Sequence, residues 1–160
     1  MVKQMNLKNL KADTKKLDEM KEKIIGDYKI QVNTHIRDTK IEEALREYLN
    51  DRDAAFKSGE PIEDVMAVYM FIILIKHFTS LNVPEGVDEK IETISTLIDL
   101  GLFWNVVEVL PDECITKFLG AIDIASKSIT KNLEEIATVV DELQNKEIKE
   151  LVEPVESKEE

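Results

Sequence analysis

The side chains best suited to metal binding or nucleophilic catalysis are few and isolated in this chain. The only histidines are His35 and His77, and the only cysteine is Cys114. Two separate histidines and one cysteine lack the ligand spacing of a zinc site. A nucleophilic thiol needs a nearby base and a positive environment, but Asp112 and Glu113 directly precede the cysteine. We therefore expect structural roles for these residues, with no metal site and no catalytic residue.

Carboxylates are abundant, but their arrangement does not predict acid–base catalysis. Neighbouring acids such as Glu134 and Glu135 fall on predicted helix surfaces beside lysines. Catalysis by carboxylates needs two acids that converge on a cleft and have separated pKa values. The aromatic residues lie in apolar stretches without interleaved basic residues, which predicts core packing rather than stacking on nucleic-acid bases. We expect a chain that is not an enzyme and that needs no cofactor.

Composition and charge indicate the class of protein and exclude some partners. The 160 residues are 43% hydrophobic and 34% charged, with five glycines and four prolines. This length suits one domain with its own core, and so few turn residues argue against an all-β sandwich. The net charge of −12 predicts no direct contact with nucleic acid or membranes, because their anionic surfaces would repel the chain.

Charge also separates the two ends of the chain. Residues 1–16 hold five lysines and one aspartate, whereas residues 141–160 hold eight acids and three lysines. Two solvated tails explain this pattern, and head-to-tail contact between subunits is the alternative. We predict a flexible basic arm over 1–12, one helical domain over 13–149 and a disordered acidic tail over 150–160.

Apolar periodicity predicts a mainly α fold, a compact helical domain with a long C-terminal amphipathic helix. The predicted helices cover residues 14–25, 38–56, 62–81, 88–100 and about 111–145, and a short apolar segment covers 102–110.

One short strand-like segment lies near the N-terminus, where Tyr28, Ile30 and Val32 alternate with polar residues. The sequence offers no convincing second strand. The segment is therefore either unpaired or paired with a strand of another molecule. On the second alternative, these three residues bind a partner.

The long C-terminal helix carries an apolar residue every seven positions: Ile115, Ile122, Ile129, Ile136 and Leu143. Its apolar face is wide near the start, which suits packing on the domain, and it continues beyond Asn132 with little remaining sequence to cover it. Either a partner covers this part or the helix folds back along the bundle. The predicted partner-binding residues of this helix are Asn132, Leu133, Ile136, Val139, Val140 and Leu143.

Five short segments carry a family resemblance. In order, they are Tyr28-Lys29-Ile30-Gln31-Val32, Lys40-Ile41-Glu42-Glu43-Ala44-Leu45, Lys76-His77-Phe78-Thr79, Leu100-Gly101-Leu102-Phe103 and Val109-Leu110-Pro111-Asp112-Glu113. Their order over residues 28–140 resembles small helical proteins from virion-morphogenesis modules of phages and prophages of Gram-positive bacteria.

The resemblance implies a non-enzymatic structural or assembly protein. Its partners would be other virion or assembly proteins or further copies of itself. Its location would be the cytoplasm of the bacterial host during assembly, with the virion as the alternative. The net charge of −12 supports a different hypothesis, an acidic inhibitor or anti-defence protein that occupies a basic nucleic-acid-binding surface.

Overall fold

A computed structural model describes residues 2–59 and 65–152 of the chain, with side chains up to residue 146. Six helices and two strands occupy these described residues. In chain order they are α1 (Leu7–Lys16), β1 (Met20–Ile25), β2 (Tyr28–Asn33), α2 (Asp38–Ser58), α3 (Met66–Phe78), α4 (Val87–Asp99), α5 (Phe103–Glu108) and α6 (Asp112–Val152). The mainly α fold and the long C-terminal helix are confirmed.

The N-terminal region differs from the prediction, because the segment expected to be helical forms a strand. β1 pairs with β2 in an antiparallel hairpin that places Ile25 opposite Tyr28 and Met20 opposite Asn33. Gly26 has a φ of 56° in the turn between the strands, a conformation that glycine adopts without strain. The predicted helix over 14–25 and the absence of a second strand are therefore both wrong. Only Ile25 of β1 is buried, so this strand lacks the apolar alternation that marks a strand in sequence.

Helix α1 begins within the predicted flexible arm. The side chain of Asn6 accepts a hydrogen bond of 2.9 Å from the backbone N–H of Asn9 and caps the helix. None of its residues is buried. The flexibility of residues 1–12 and the single domain over 13–149 stay predictions, and most of the predicted acidic tail, residues 153–160, lies outside the described residues.

The hydrophobic core is built around α3, as its continuous apolar sequence predicts. This helix contacts α2, α4 and α5. Glycines at positive φ end two of the predicted helices, because Gly59 has a φ of 73° after α2 and Gly101 a φ of 67° after α4. The buried residues of α3 are Tyr69, Met70, Ile72, Ile73, Leu74, Ile75 and Phe78.

The chain divides into two compact units, Met1–Ala121 and Ile122–Glu160. The first unit includes the start of α6, where Cys114 and Phe118 are fully buried. The ring of Phe118 meets that of Tyr48 edge to face, with 5.7 Å between the centroids. The second unit contains the remainder of α6.

Within residues 2–59 and 65–152, no helix combines the length and the apolar content needed to cross a membrane.

We predict that Phe118→Ala lowers the free energy of unfolding by about 3–5 kcal/mol, because it leaves a cavity against Tyr48. Leu119→Ala is the matched control, since the Leu119 side chain is 48% exposed, and we expect it to cost less than about 1 kcal/mol. Urea denaturation followed by circular dichroism measures both. Equal losses would show that the start of α6 is not held by Phe118.

Candidate functional site

The distal part of α6 presents a continuous apolar row to solvent. Every side chain from Ser126 to Lys146 is exposed. Within this segment, apolar residues recur at alternating steps of four and three positions, which places them along one side of a helix. We call this row the α6 stripe, and it consists of Ile129, Leu133, Ile136, Val140 and Leu143, with exposures between 44% and 61%.

The predicted partner-binding residues of α6 all lie on or beside this stripe. Leu133, Ile136, Val140 and Leu143 belong to the stripe itself. Asn132 and Val139 border it, and together with Ile136 and Val140 they line a shallow groove on the helix surface. The helix thus brings together the six residues that the sequence selected, and their contact with a partner stays a prediction.

The three strand residues do not form a comparable surface. Tyr28 is 60% exposed, but Ile30 and Val32 are buried in the core. Because β1 occupies one edge of β2, the premise that this strand has no partner in its own chain is wrong. The other edge is also occupied, since Ser80 donates its backbone N–H to Gln31 O and accepts from Gln31 N through Oγ, both at 2.9 Å.

A buried ionic cluster is the site that sequence reasoning missed. The side chain of Lys90 has 0% exposure. Its ammonium lies 2.6 Å from Glu47 Oε1, 2.7 Å from Asp51 Oδ2 and 2.7 Å from the backbone oxygen of Glu85. Tyr69 donates a hydrogen bond of 2.6 Å to the same Asp51 oxygen. The cluster thereby joins α2, α3 and α4.

Two further side chains complete the cluster around Glu47. Lys76 donates 2.7 Å to Glu47 Oε1 and 2.6 Å to Glu85 Oε2, and His77 Nε2 lies 2.7 Å from Glu47 Oε2. Burial raises the pKa of Glu47, but hydrogen bonds from Lys76, Lys90 and His77 outweigh it and lower the pKa to about 2. Burial, reinforced by the hydrogen bond to Asp51, raises the pKa of Tyr69 above its ordinary value.

A sequence signal for this cluster existed. Lys90 precedes Ile94 by one helical turn and therefore lies on the buried face of α4. Glu47 and Asp51 are spaced four apart on α2, so they also share one helix face. A lysine on an apolar face requires acidic partners. Two acids on one face of another helix are candidates for that role.

The cluster fits a structural role. Lys90 uses all three of its N–H donors within the protein, so none remains for a ligand. Among the described residues, no buried side-chain nitrogen or oxygen lacks a hydrogen-bond partner. No group of three or more potential metal ligands occurs in the same part of the chain.

Cys114 is buried, and His35 is exposed. Burial, with a smaller effect of Glu113, raises the pKa of the Cys114 thiol to about 12. A thiol with so high a pKa is a poor nucleophile near neutral pH.

The chain belongs to the YomO family, whose sequence pattern matches residues 7–159. A relative in this family is the SPbeta prophage-derived uncharacterized protein YomO of Bacillus subtilis (strain 168). The two sequences are 25% identical over 158 residues, which cover 97% of this chain and 92% of the relative. No solved structure matches the chain. The family and this relative support a prophage origin.

We predict that Lys90→Met destabilises the protein by about 3–5 kcal/mol, because it leaves the carboxylates of Glu47 and Asp51, which are only 17% and 14% exposed, without their shared cation. Lys29→Met is the control, since Lys29 is 71% exposed in its ion pair with Glu22, and we expect a change below about 1 kcal/mol. Chemical denaturation at pH 7 measures both. A loss of similar size in the control would contradict the special position of Lys90.

The pH dependence of stability tests the role of Glu47. Its pKa falls from 4.5 to about 2 on folding, so its stabilising effect is fully present above pH 4.5 and is lost as the pH falls through 2. We expect the free energy of unfolding of wild type to exceed that of Glu47→Gln at pH 5. This difference should shrink by about 3 kcal/mol between pH 5 and a pH below 2. Parallel unfolding curves across this range measure the difference. A constant difference would show that the folded-state pKa of Glu47 is not lowered.

Proposed function

We propose that this chain is a non-enzymatic structural or assembly protein of a phage virion, and that it acts through protein–protein contacts of the α6 stripe. The exposed stripe is the observation that carries the proposal. Contiguous apolar surface on a protein that is otherwise strongly charged is typical of an interaction site.

The energetic argument concerns the five side chains of the stripe. Each is a leucine, isoleucine or valine that retains between 44% and 61% of its exposure. Removing such a side chain from water contributes on the order of 1 kcal/mol when about half of its area is already covered. Together these residues supply several kcal/mol toward association, which is enough to offset part of the entropy lost on binding.

The prophage origin supports the phage part of the proposal. The partners would be other virion or assembly proteins or a further copy of this chain. These contacts would form in the cytoplasm of the host during assembly. Afterwards the protein would either be released or remain in the finished particle. The buried cluster around Lys90 would contribute rigidity to the first unit rather than chemistry.

Substitution on the stripe tests the proposal in the phage that encodes the chain. We expect Ile136→Asp to weaken association at least about tenfold, because a charge placed in an apolar contact costs more than about 1.4 kcal/mol. Infectious particles should decrease after induction, as they should after deletion of the gene. Plaque titre and electron microscopy of the lysate are the measurements.

Thr138→Asp is the matched control, because Thr138 is exposed and lies two residues from Ile136, on the opposite side of the helix. This variant should yield particles as wild type does, and circular dichroism should show that both variants fold. Normal particles from the deletion would refute the assembly role. Binding to a basic nucleic-acid-binding protein that is lost at high salt would instead support the acidic inhibitor.

A further inference from the structure

We infer that the α6 stripe pairs with the same stripe of a second copy of this chain, with the two helices antiparallel. The inference rests on the proposed function and specifies its partner. It is carried by three properties of residues 126–146: the spacing of the stripe, the residues that flank it and the distribution of charge along it.

The stripe has the spacing and the flanks of a helix-pairing seam. Its steps of four, three, four and three place Ile129, Ile136 and Leu143 at one seam position and Leu133 and Val140 at the other. The flanking positions carry little charge, so a second helix can approach without desolvating ions. The flanking residues are Thr130, Ala137 and Gln144 on one side and Asn132, Val139 and Lys146 on the other.

Charge distribution favours the antiparallel orientation. Residues 126–133 contain two lysines and no acid, whereas residues 134–146 contain four acids and one lysine. A parallel pair in register would place the acidic halves side by side, but an antiparallel pair places each basic half against an acidic half. The contacts of Lys127 with Asp123 and of Lys131 with Glu135 within the helix are exposed, so they compete only weakly with contacts to a second copy.

Side-chain shape argues against a parallel pair of two helices. Ile129, Ile136 and Leu143 share one seam position. Ile136 and Leu143 each follow a residue of the other seam position by three residues. Parallel two-stranded coiled coils prefer leucine at the first of these positions and β-branched residues at the other. Two isoleucines there, with Leu133 at the other position, therefore disfavour a parallel pair.

The same residues select a register. A two-fold axis between residues 134 and 135 packs Leu133 against Ile136 of the second copy, and it places Lys127 on the same side as Asp141 of the second copy. The register one heptad further along would instead place Glu134 beside Asp141 of the second copy. The first register also packs Ile129 against Val140 of the second copy, so four of the five stripe residues of each chain meet the stripe of the other, and Leu143 faces Ser126.

Distances between spin labels test this arrangement in the full-length chain. A nitroxide is attached to Lys146→Cys in one variant and to Thr138→Cys in another, and double electron–electron resonance measures the distance between copies. In the antiparallel pair the two 146 sites are 23 residues apart, or about 35 Å along the helix, and the two 138 sites are about 10 Å apart along it. We expect a markedly longer distance for the label at 146.

Each outcome either supports or overturns the antiparallel pair. A distance at 146 that is no longer than the distance at 138 would show a parallel pair, and a monomeric mass by light scattering without any dipolar signal would show no pair. The unsubstituted chain controls for labelling of Cys114, which is buried, and Ile136→Asp should abolish the signal at both sites.

Failure of this inference differs from failure of the proposed function. A monomer whose Ile136→Asp variant still lowers the particle yield would retain the assembly role with a different partner. A pair of the expected geometry in a protein that the phage can lose without effect would retain the pair and refute the assembly role.

Discussion

The arrangement of α2, α3 and α4 depends on the ionic contacts of the buried Lys90 ammonium. A charged amine without access to water is tolerated only when acceptors surround it, and here Glu47, Asp51 and the backbone of Glu85 supply them. The acceptors come from α2 and from the loop before α4, so these elements cannot shift independently. Tyr69 of α3 adds a hydrogen bond to Asp51, and this bond ties the apolar central helix to the same charges.

This cluster has the residue types of a catalytic centre, but the N–H donors of its buried lysine are already used within the protein. Two lysines, a histidine and a tyrosine each lie within hydrogen-bonding distance of Glu47 or Asp51. The lowered pKa of Glu47 is a feature shared with active sites. Structural ion-pair networks perturb pKa values in the same way. An active site differs from such a network in having donors or acceptors that are free to bind a substrate. Because Lys90 has spent all of its donors internally, the cluster explains rigidity more directly than reactivity.

The α6 helix presents the opposite physical situation. Its first turns are anchored by Cys114 and Phe118, which are fully buried, whereas the same apolar periodicity continues over a segment where every side chain is exposed. Within residues 126–146, therefore, no side chain covers the stripe. This regular apolar row in solvent is the feature on which the proposed role in assembly rests.

The sequence by itself determined the helical class, the central place of α3, the long α6 and the composition of the α6 stripe. These features follow from local periodicity and from glycine stops such as Gly59 and Gly101, which depend on residues close together in the chain. Tertiary structure decided the β1–β2 hairpin, because β1 buries only Ile25 and is recognisable chiefly through its pairing with β2. It also decided the cluster at Lys90, whose acidic side-chain partners lie 39 and 43 positions away in the sequence. Such contacts depend on how helices pack, and no local pattern specifies that packing.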